Sequence, residues 1–303
     1  MRIRIVLLAT LVFVSCCGSP AAAPASDPAA DPPAAAGAPA PGPAAAGAPA
    51  AGRALPCPGA VDLAGGLRAE NVRLPGREDC LTLVRIDPAR FELRVHTAAA
   101  DGGRRTAPGW AADFGLAAVV NTSMFDDGDR SIGILRDARA VNRDQDNPKL
   151  GGFLAFDPVH PSASTPPVVM TGRDCPGFDL ADLRRRYRAI VQNYRLLDCR
   201  GAALPWADPK VFSSAGIALD RGGRVVFLHA RAPLRMTALA RFLASPDLGL
   251  RAAMYVEGGP EASVFAAAGG GRVEAIGSFE SGFWDDSNRR FWPIPNVLGA
   301  APR

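Results

Sequence analysis

Apolar residues recur at strand and helix spacings over the last third of the chain. Residues 215–219 and 225–228 are apolar runs, and the Asp-Arg-Gly-Gly sequence between them is typical of a hairpin turn. The next apolar positions follow the spacing of one helix face: Met236, Leu239, Ala240 and Leu243. Residues 252–256 form another apolar run. The order strand, helix, strand predicts that the strands flanking the helix run parallel, with a right-handed crossover.

Shorter patterns of the same kind precede this region. Thr106 and Gly115 are suited to begin and end a short helix, and residues 180–187, which include three consecutive arginines, predict a surface helix. Further apolar runs of strand length lie at residues 81–86, 91–97 and 116–120. Strands and helices mixed in this way favour an α/β fold, a single domain with a mixed sheet and flanking helices.

The first 18 residues have the composition of an export signal. Arginines at positions 2 and 4 precede an apolar stretch at residues 5–14, which is too short for a stable membrane span. The Ser-Cys step that follows resembles the lipobox of bacterial lipoproteins. We therefore expect lipidation of Cys16 or Cys17 and attachment to the bacterial membrane, on its periplasmic or outer surface; ordinary signal-peptidase cleavage is the alternative.

Composition divides the remaining chain into a tether and a domain. Residues 19–56 are almost entirely Ala, Pro and Gly, which predicts an extended, disordered tether. Residues 57–303 are sufficient for one domain with a large core. The net charge of +4 is spread over the whole chain, without a basic stripe that would indicate nucleic-acid binding.

Four cysteines follow the tether. An even number in an exported chain predicts two disulfides, for which three pairings exist. Proximity in sequence favours Cys57 with Cys80 and Cys175 with Cys199. The spacing lacks a CxxC pair, and the three histidines are scattered, so we expect no metal site. Nucleotide and zinc-peptidase motifs are also absent from the sequence, and we expect no cofactor.

Candidate chemistry lies where polar residues follow apolar runs. Glu257-Gly258-Gly259 comes directly after residues 252–256. Ligands of open α/β sheets bind beyond the carboxyl ends of strands, and glycine lets a sugar or phosphate approach the main chain. We interpret this step as the floor of an active site; a tight turn with a surface glutamate is the alternative. Asn121, after another strand, offers a donor and an acceptor to a ligand, or caps a turn.

Five segments follow one another in a fixed order along the chain. They are VVNTSMF (119–125), GGFLAFDP (151–158), AIVQNYRLL (189–197), SSAGIALDRGGRVVFL (213–228) and AAMYVEGGPEASVF (252–265). Together they resemble the phosphodiester glycosidase family, of the uncovering-enzyme type, in its bacterial exported branch. The resemblance spans about residues 80–266. It implies a phosphodiester glycosidase-like fold and cleavage of the bond between a sugar and a phosphodiester.

Part of the family pattern carries over residue by residue. The matching positions are Asn121, Met124, Phe125, Gln192, Gly258, Gly259 and Ser263. Glu257 stands where the family has aspartate. Ser214 stands where the family has arginine, so a cation suited to phosphate is missing there. Arg195 or Lys210 is the candidate to supply that charge from another position.

The resemblance also implies roles. Glu257 would act at the anomeric carbon as nucleophile, base or electrostatic stabiliser of an oxocarbenium-like state. Asn121 and Gln192 would orient the sugar or phosphate, and Arg195 would neutralise charge. Glu261 is either a second carboxylate or a residue that begins a helix. The other substrate-binding candidates are Met124, Phe125, Gly258, Gly259 and Ser263.

Two functions follow from this reading. The first is hydrolysis of a sugar-1-phosphodiester in the bacterial cell envelope, with a carbohydrate or sugar-phosphate substrate. The second is a catalytically impaired relative that binds envelope glycan or acts as an envelope scaffold. Aromatic and charged residues concentrate at 279–292, where they would pack on the domain or form a rim that stacks on carbohydrate.

Overall fold

Strands dominate the part of the chain that the structure describes. A computed structural model describes residues 55–207, 209–282 and 284–303. The predicted export signal, Cys16, Cys17 and nearly all of the predicted tether lie outside these residues. The strands are β1 (Gly59–Ala64), β2 (Leu67–Arg73), β3 (Cys80–Ile86), β4 (Phe91–Thr97), β5 (Ala118–Asn121), β6 (Leu135–Arg136), β7 (Val141–Arg143), β8 (Gly152–Pro158), β9 (Val168–Gly172), β10 (Tyr187–Arg195), β11 (Val211–Asp220), β12 (Val225–Arg235), β13 (Leu250–Gly258), β14 (Ser263–Ala268), β15 (Gly271–Ile276) and β16 (Asn296–Pro302).

These strands form two sheets. The larger runs in the order β1-β2-β3-β12-β11-β13-β10-β6-β7, and β8 joins it by pairing with β10 and with β9. The smaller runs β15-β14-β5-β16-β4. The pairings within both sheets are antiparallel. Strand β5, which ends at Asn121, and strand β13, which carries Glu257, therefore belong to different sheets.

The main core lies between the sheets. Apolar side chains from both inner faces meet there, among them Phe227 and Met254 of the larger sheet and Val120 and Leu298 of the smaller. Helices cover parts of the outer faces. They are α1 (Ala98–Asp101), α2 (Ala107–Phe114), α3 (Leu180–Arg186) and α4 (Met236–Leu243). The longest of these have eight residues, too few to cross a lipid bilayer.

The α/β class predicted from the sequence is wrong. The described residues form mostly strands, in two antiparallel sheets, rather than a mixed sheet flanked by helices. The strands on either side of α4, β12 and β13, do run in the same direction. However, β11 lies between them and pairs antiparallel with both. A strand, helix, strand order cannot reveal whether a third strand is inserted between its two strands, and here the hairpin partner occupies that position.

Most predicted elements and both predicted disulfides are confirmed. Strands β11 and β12 form the expected hairpin, and all four apolar positions of α4 are buried. Helix α2 begins at the Thr106 cap and ends at Gly115, which has a left-handed conformation. The disulfides join Cys57 to Cys80 and Cys175 to Cys199. The apolar runs at 81–86 and 91–97 are both strands, β3 and β4, and they belong to different sheets.

Candidate active site

Glu257 is the penultimate residue of β13, and a β-bulge directly precedes it. In the pairing of β13 with β11, Glu257 lies opposite Ala215 and Tyr255 lies opposite Gly216, so Val256 has no residue opposite it. Bulges bend a strand and redirect its side chains, and they are frequent beside active sites. The bulge occurs where the strand leaves the core and enters the turn that follows.

Two glycines shape this turn in different ways. Gly258 has an extended backbone, but a Cβ atom built on it would lie 2.6 Å from the hydroxyl of Tyr255 and 2.7 Å from the ring of Phe212. Close packing therefore requires glycine there. Gly259 has a φ of 69°, in the left-handed region that glycine adopts most readily. It begins a 3₁₀ helix of one turn, Gly259–Glu261.

A cleft of about 530 Å³ opens beside the turn. It contains five of the residues proposed from the sequence: Met124, Phe125, Glu257, Gly258 and Gly259. It also contains the two residues considered as further charged groups, Glu261 and Lys210. The remaining lining residues are Phe212, Tyr255, Glu280 and Ser281. The structure thus brings together the loop that follows β5, which contains Met124 and Phe125, and the end of β13. These segments are more than 130 positions apart in the sequence.

Glu257 is half-buried, and its environment favours the protonated acid. Burial raises the pKa of its carboxyl group to about 8, and the nearby Glu261 adds to this effect. The hydrogen bond that the Gly258 N–H donates to Glu257 Oε1, at 3.0 Å, acts in the opposite direction. Removal from water is the larger influence, so the group carries a proton at pH 7.

Glu261 provides a second carboxyl group in the same cleft. Burial is the main reason that its pKa is raised, and the charge of Glu280 acts in the same direction. The guanidinium of Arg104 lowers the pKa of Glu261. Arg104 is held above the ring of Phe125, 5.0 Å from its centroid, and forms an ion pair with Asp129. The cleft therefore contains more acidic than basic groups, with Lys210 in its lining and Arg104 close to Glu261.

Asn121 acts within the protein, on the turn that follows β13. Its side-chain Nδ2 donates to the carbonyl of Glu261 at 3.0 Å, and its Oδ1 accepts from the backbone N–H of Ser263 at 2.8 Å. The Ser263 hydroxyl donates to the same Glu261 carbonyl at 2.8 Å. Asn121 and Ser263 are buried and hold the turn in place, and neither lines the cleft.

Gln192 is buried beneath the loop that precedes β8, outside the cleft. Its Oε1 accepts from the N–H groups of Ile134 and Asn147, each at 3.1 Å. Its Nε2 donates to Asp146 and to the carbonyls of Asn147 and Leu150. Every polar atom of the side chain is therefore used to fix this loop to β10.

Arg195 is also placed away from Glu257. Its side chain is nearly buried, forms an ion pair with Asp174, and donates to the carbonyl of Leu197 at 3.1 Å. It lines a separate cavity beside the Cys175–Cys199 disulfide. Asp174 lies near both sulfur atoms of that disulfide, but bonded sulfurs are not thiolate ligands, so this group does not fit a metal ion.

Ser214 and Lys210 complete the comparison with the family pattern. Ser214, at the position where the family pattern has arginine, is buried opposite Gly258 in the sheet, and its hydroxyl donates to the carbonyl of Phe212 at 3.4 Å. Lys210 lies on the cleft wall. Of the two candidates for a replacement cation, the structure places Lys210 in the cleft and Arg195 outside it.

Sequence reasoning missed several residues of this region, among them Tyr255, Glu280 and His229. Tyr255 stands two residues before Glu257 and also lines the cleft, and this proximity was the signal for it, because the bulge at Val256 interrupts strand alternation between the two. Glu280 gave no such signal, because it reaches the cleft through the long segment after β15. His229 of β12 is buried, and its Nε2 lies 3.2 Å from the carbonyl of Ala262. Burial lowers the pKa of His229 to about 4, so it is a neutral donor that supports the turn.

The fold and the cleft together define a class of protein. It is a two-sheet antiparallel β protein with interacting carboxyl groups in an open cleft, an arrangement suited to acid–base chemistry on a polar ligand. The family model described as phosphodiester glycosidase matches residues 114–301. The chain belongs to the phosphodiester glycosidase family, as its motifs predicted. Its place in the bacterial exported branch stays a prediction.

Solved structures share the fold at low sequence identity. The zebrafish N-acetylglucosamine-1-phosphodiester alpha-N-acetylglucosaminidase catalytic domain, auto-inhibited by its pro-peptide, is 13% identical, with a TM-score of 0.55 over 78% of this chain and 82% of that one. A hypothetical protein from Synechocystis is 13% identical, with a TM-score of 0.54 over 82% of this chain and 64% of that one. No curated protein matches the chain significantly.

Proposed function

We propose that the protein hydrolyses a sugar-1-phosphodiester, breaking the bond between the anomeric carbon and a phosphate oxygen. The observation that carries the proposal is the presence of Glu257 and Glu261 in one cleft, where burial raises the pKa of the Glu257 carboxyl to about 8. Membership of the phosphodiester glycosidase family supports the reaction type. The zebrafish relative is named for action on an N-acetylglucosamine-1-phosphodiester, which supports that sugar as the first to test.

The two carboxyl groups support a division of roles. Like charges close together do not both ionise readily, and the group with the higher pKa retains the proton. Glu257 would donate its proton to the departing phosphate oxygen as the bond to the anomeric carbon breaks. Glu261 in its ionised form would stabilise the positive charge that develops on the sugar ring or accept a proton from the attacking water. Lys210 would offset the charge of the phosphodiester.

The place of action is also a proposal. Two disulfides within the domain support an oxidising compartment outside the cytoplasm. A lipid attached to Cys16 or Cys17 would hold the domain at the bacterial cell envelope, at the end of the Ala- and Pro-rich tether. Mass spectrometry of the protein from the native host, digested to its N-terminal peptide, would detect the lipid or a free terminus.

Phosphorus NMR tests the reaction directly. The full chain is incubated with a panel of sugar-1-phosphodiesters, N-acetylglucosamine first, alongside Glu257→Gln and the matched control Glu92→Gln. Glu92 is exposed and pairs with Arg94 on the other sheet. We expect a phosphomonoester signal from the native chain and the control, and almost none from Glu257→Gln. Equal turnover by Glu257→Gln would remove Glu257 from the mechanism, and silence from the folded native chain would reject the hydrolase.

A second function is favoured by the positions of the remaining motif residues. Asn121, Gln192 and Arg195 are occupied by contacts within the protein, and Ser214 brings no cation to the cleft. An impaired relative that binds envelope glycan would fit these features. It would bind the sugar with similar affinity in the native chain and in Glu257→Gln, and it would release no phosphate product.

A further inference from the structure

A cavity of about 320 Å³ lies at the opposite end of β13 from Glu257. Its walls come from β9, from the start of β13 and from the two segments that the Cys175–Cys199 disulfide joins. Arg251 and Glu257 are six residues apart on β13, which corresponds to about 20 Å at the rise of a β-strand. This cavity, called here the disulfide cavity, shares no lining residue with the cleft of the proposed active site.

Two glycines leave the space through which the Arg195 side chain reaches the disulfide cavity. Gly152 of β8 and Gly172 of β9 lie opposite each other in the sheet. A Cβ atom built on Gly152 would lie 2.6 Å from Cγ of Arg195, and one built on Gly172 would collide with the guanidinium. The arginine side chain is only 7% exposed as a result. Its charge is therefore held at a fixed place, inside the protein.

The Arg195 guanidinium keeps hydrogen-bonding capacity for a ligand. Its Nε donates to the carbonyl of Leu197 at 3.1 Å, and its Nη1 forms the ion pair with Asp174. Within the part of the chain that the structure describes, the partner of Nη2 is the sulfur of Cys199, at 3.6 Å. A sulfur atom is a weak acceptor, and Nη2 carries two N–H groups. At least one strong donor is therefore left unused.

Two more donors line the disulfide cavity. The Arg251 guanidinium and the Thr171 hydroxyl form no hydrogen bond or ion pair with any residue that the structure describes. Arg251 is exposed, so its side chain can turn toward a ligand. Two guanidinium groups and a hydroxyl around one cavity are suited to an oxyanion, because guanidinium binds carboxylate and phosphate through paired hydrogen bonds.

The acidic residues at the disulfide cavity are already engaged. Asp198 lines it, and its Oδ1 accepts from the N–H groups of Arg200 and Ala202, each at 2.8 Å. Asp174 pairs with Arg195 and is 60% exposed. Solvent therefore weakens the hold of Asp174 on the arginine, and an anion inside the cavity would meet the guanidinium in drier surroundings.

The rest of the lining is apolar, and the walls are fixed before a ligand binds. The disulfide ties the two segments around the cavity together, and Trp206 Nε1 donates to the carbonyl of Arg195 at 3.2 Å. Little ordering is therefore required on binding. The apolar lining residues are Val169, Met170, Pro176, Leu197, Ala252 and Ala253.

We propose that the disulfide cavity binds a small organic anion, which consists of an oxyanion group on a short apolar body. The oxyanion would lie between Arg195 and Arg251, within reach of the Thr171 hydroxyl, and the apolar body would pack on Met170 and Leu197. A carboxylate and a phosphate monoester share this chemistry. The site is distinct from the cleft of Glu257 and does not depend on the proposed hydrolysis.

Isothermal titration calorimetry of the full chain tests the site with four probes: hexanoate, hexyl phosphate, acetate and hexan-1-ol. The salt concentration is about 0.15 M, so that distant surface charges are screened. The variants are Arg251→Ala, Arg195→Lys and Thr171→Val. Arg241→Ala is the matched control, because Arg241 is an exposed arginine of α4 that lines neither cavity. Each variant is first checked for an unchanged unfolding midpoint, and Arg251→Ala decides the test if the buried Arg195→Lys does not fold.

We expect hexanoate and hexyl phosphate to bind the native chain and Arg241→Ala alike, and the tighter of the two identifies the oxyanion. Acetate should bind about tenfold or more weakly than hexanoate, since it lacks most of the apolar body. Hexan-1-ol, which has that body without the charge, should bind at least about tenfold more weakly than the tighter anion. Arg251→Ala should weaken both hexyl anions by about tenfold or more, Arg195→Lys should weaken them through loss of the paired geometry, and Thr171→Val should weaken them by roughly threefold.

Several results would overturn the site. They are unchanged affinity for both hexyl anions in Arg251→Ala, an equal loss in Arg241→Ala, hexan-1-ol binding as tightly as the anions, acetate binding as tightly as hexanoate, or no binding of any probe. The phosphorus NMR experiment is independent of this test. The expected binding pattern without hydrolysis would reject the hydrolase and retain the anion site, and hydrolysis without the pattern would do the reverse.

Discussion

Replacing Glu257 by glutamine should make the protein more stable, by an amount that grows with pH. The pKa of Glu257 rises from an ordinary 4.5 to about 8 in the folded state. Below pH 4.5 the carboxyl is protonated in both the folded and the unfolded chain, so its titration contributes no difference. Between pH 4.5 and 8 the unfolded chain releases the proton and the folded chain retains it. The native protein therefore loses stability as pH rises through this window.

The magnitude follows from the two pKa values. They differ by about 3.5, and each pH unit between them is equivalent to about 1.4 kcal/mol, which sets an upper limit of about 5 kcal/mol at pH 8 and above. Glutamine has a similar shape and does not ionise, so Glu257→Gln removes this cost. A constant offset from the altered hydrogen bond to the Gly258 N–H is expected in addition, but it does not vary with pH.

Urea denaturation of both proteins at each unit from pH 5 to pH 9 measures the difference. The free energy of unfolding of Glu257→Gln minus that of the native chain should rise steadily to pH 8 and then level off, at an unchanged denaturant slope. The exposed control Glu92→Gln is measured in parallel, so that the effect of removing one surface carboxylate can be subtracted. A difference for Glu257→Gln that is constant with pH would refute the reasoning, because Glu257 would then titrate like a solvated glutamate.

Three further perturbations test the structure around the cleft. Gly258→Ala should destabilise by about 1–3 kcal/mol, because its Cβ would lie 2.6 Å from Tyr255 Oη; Gly151→Ala, with no atom within 4 Å, is the control, and equal urea midpoints would contradict the packing. Asn121→Ala should lower the free energy of unfolding by about 1–3 kcal/mol, because the buried Ser263 N–H loses its acceptor. Hydrogen exchange at the Ser263 amide should accelerate. Unchanged protection of that amide would show that the Asn121 hydrogen bond does not stabilise the turn. Cys175→Ser combined with Cys199→Ser should lower the free energy of unfolding by about 3 kcal/mol, since the disulfide closes a loop with a sequence separation of 24; a thermal scan that matches the native one would exclude this contribution.

Local structure was readable from the chain because short-range physics decides it. The face of α4 follows from the 3.6-residue period of Met236, Leu239, Ala240 and Leu243, which are all buried. Helix α2 follows from its caps at Thr106 and Gly115. The disulfide pairs follow from proximity, because short loops close most easily. In each case the interacting residues are close together in the sequence.

The candidate site was predicted in part for the same reason. Glu257, Gly258 and Gly259 are consecutive, and the structure places them in the cleft. Asn121 and Gln192 match the family motifs just as well. However, a motif records that a residue type occurs and does not record what the side chain contacts. The structure shows that both amides are saturated by backbone and side-chain partners, and their predicted contacts with substrate are untested.

The sequence by itself determined several of the strands and helices, the cysteine pairs and the family. Only the tertiary structure decided that β11 separates β12 from β13, that Glu280 and Lys210 join Glu257, and that Arg195 does not. These outcomes depend on which distant segments meet across the sheets. The free energy of such pairings comes from burial shared by residues far apart in the chain, and no local pattern of hydrophobic and polar positions encodes it.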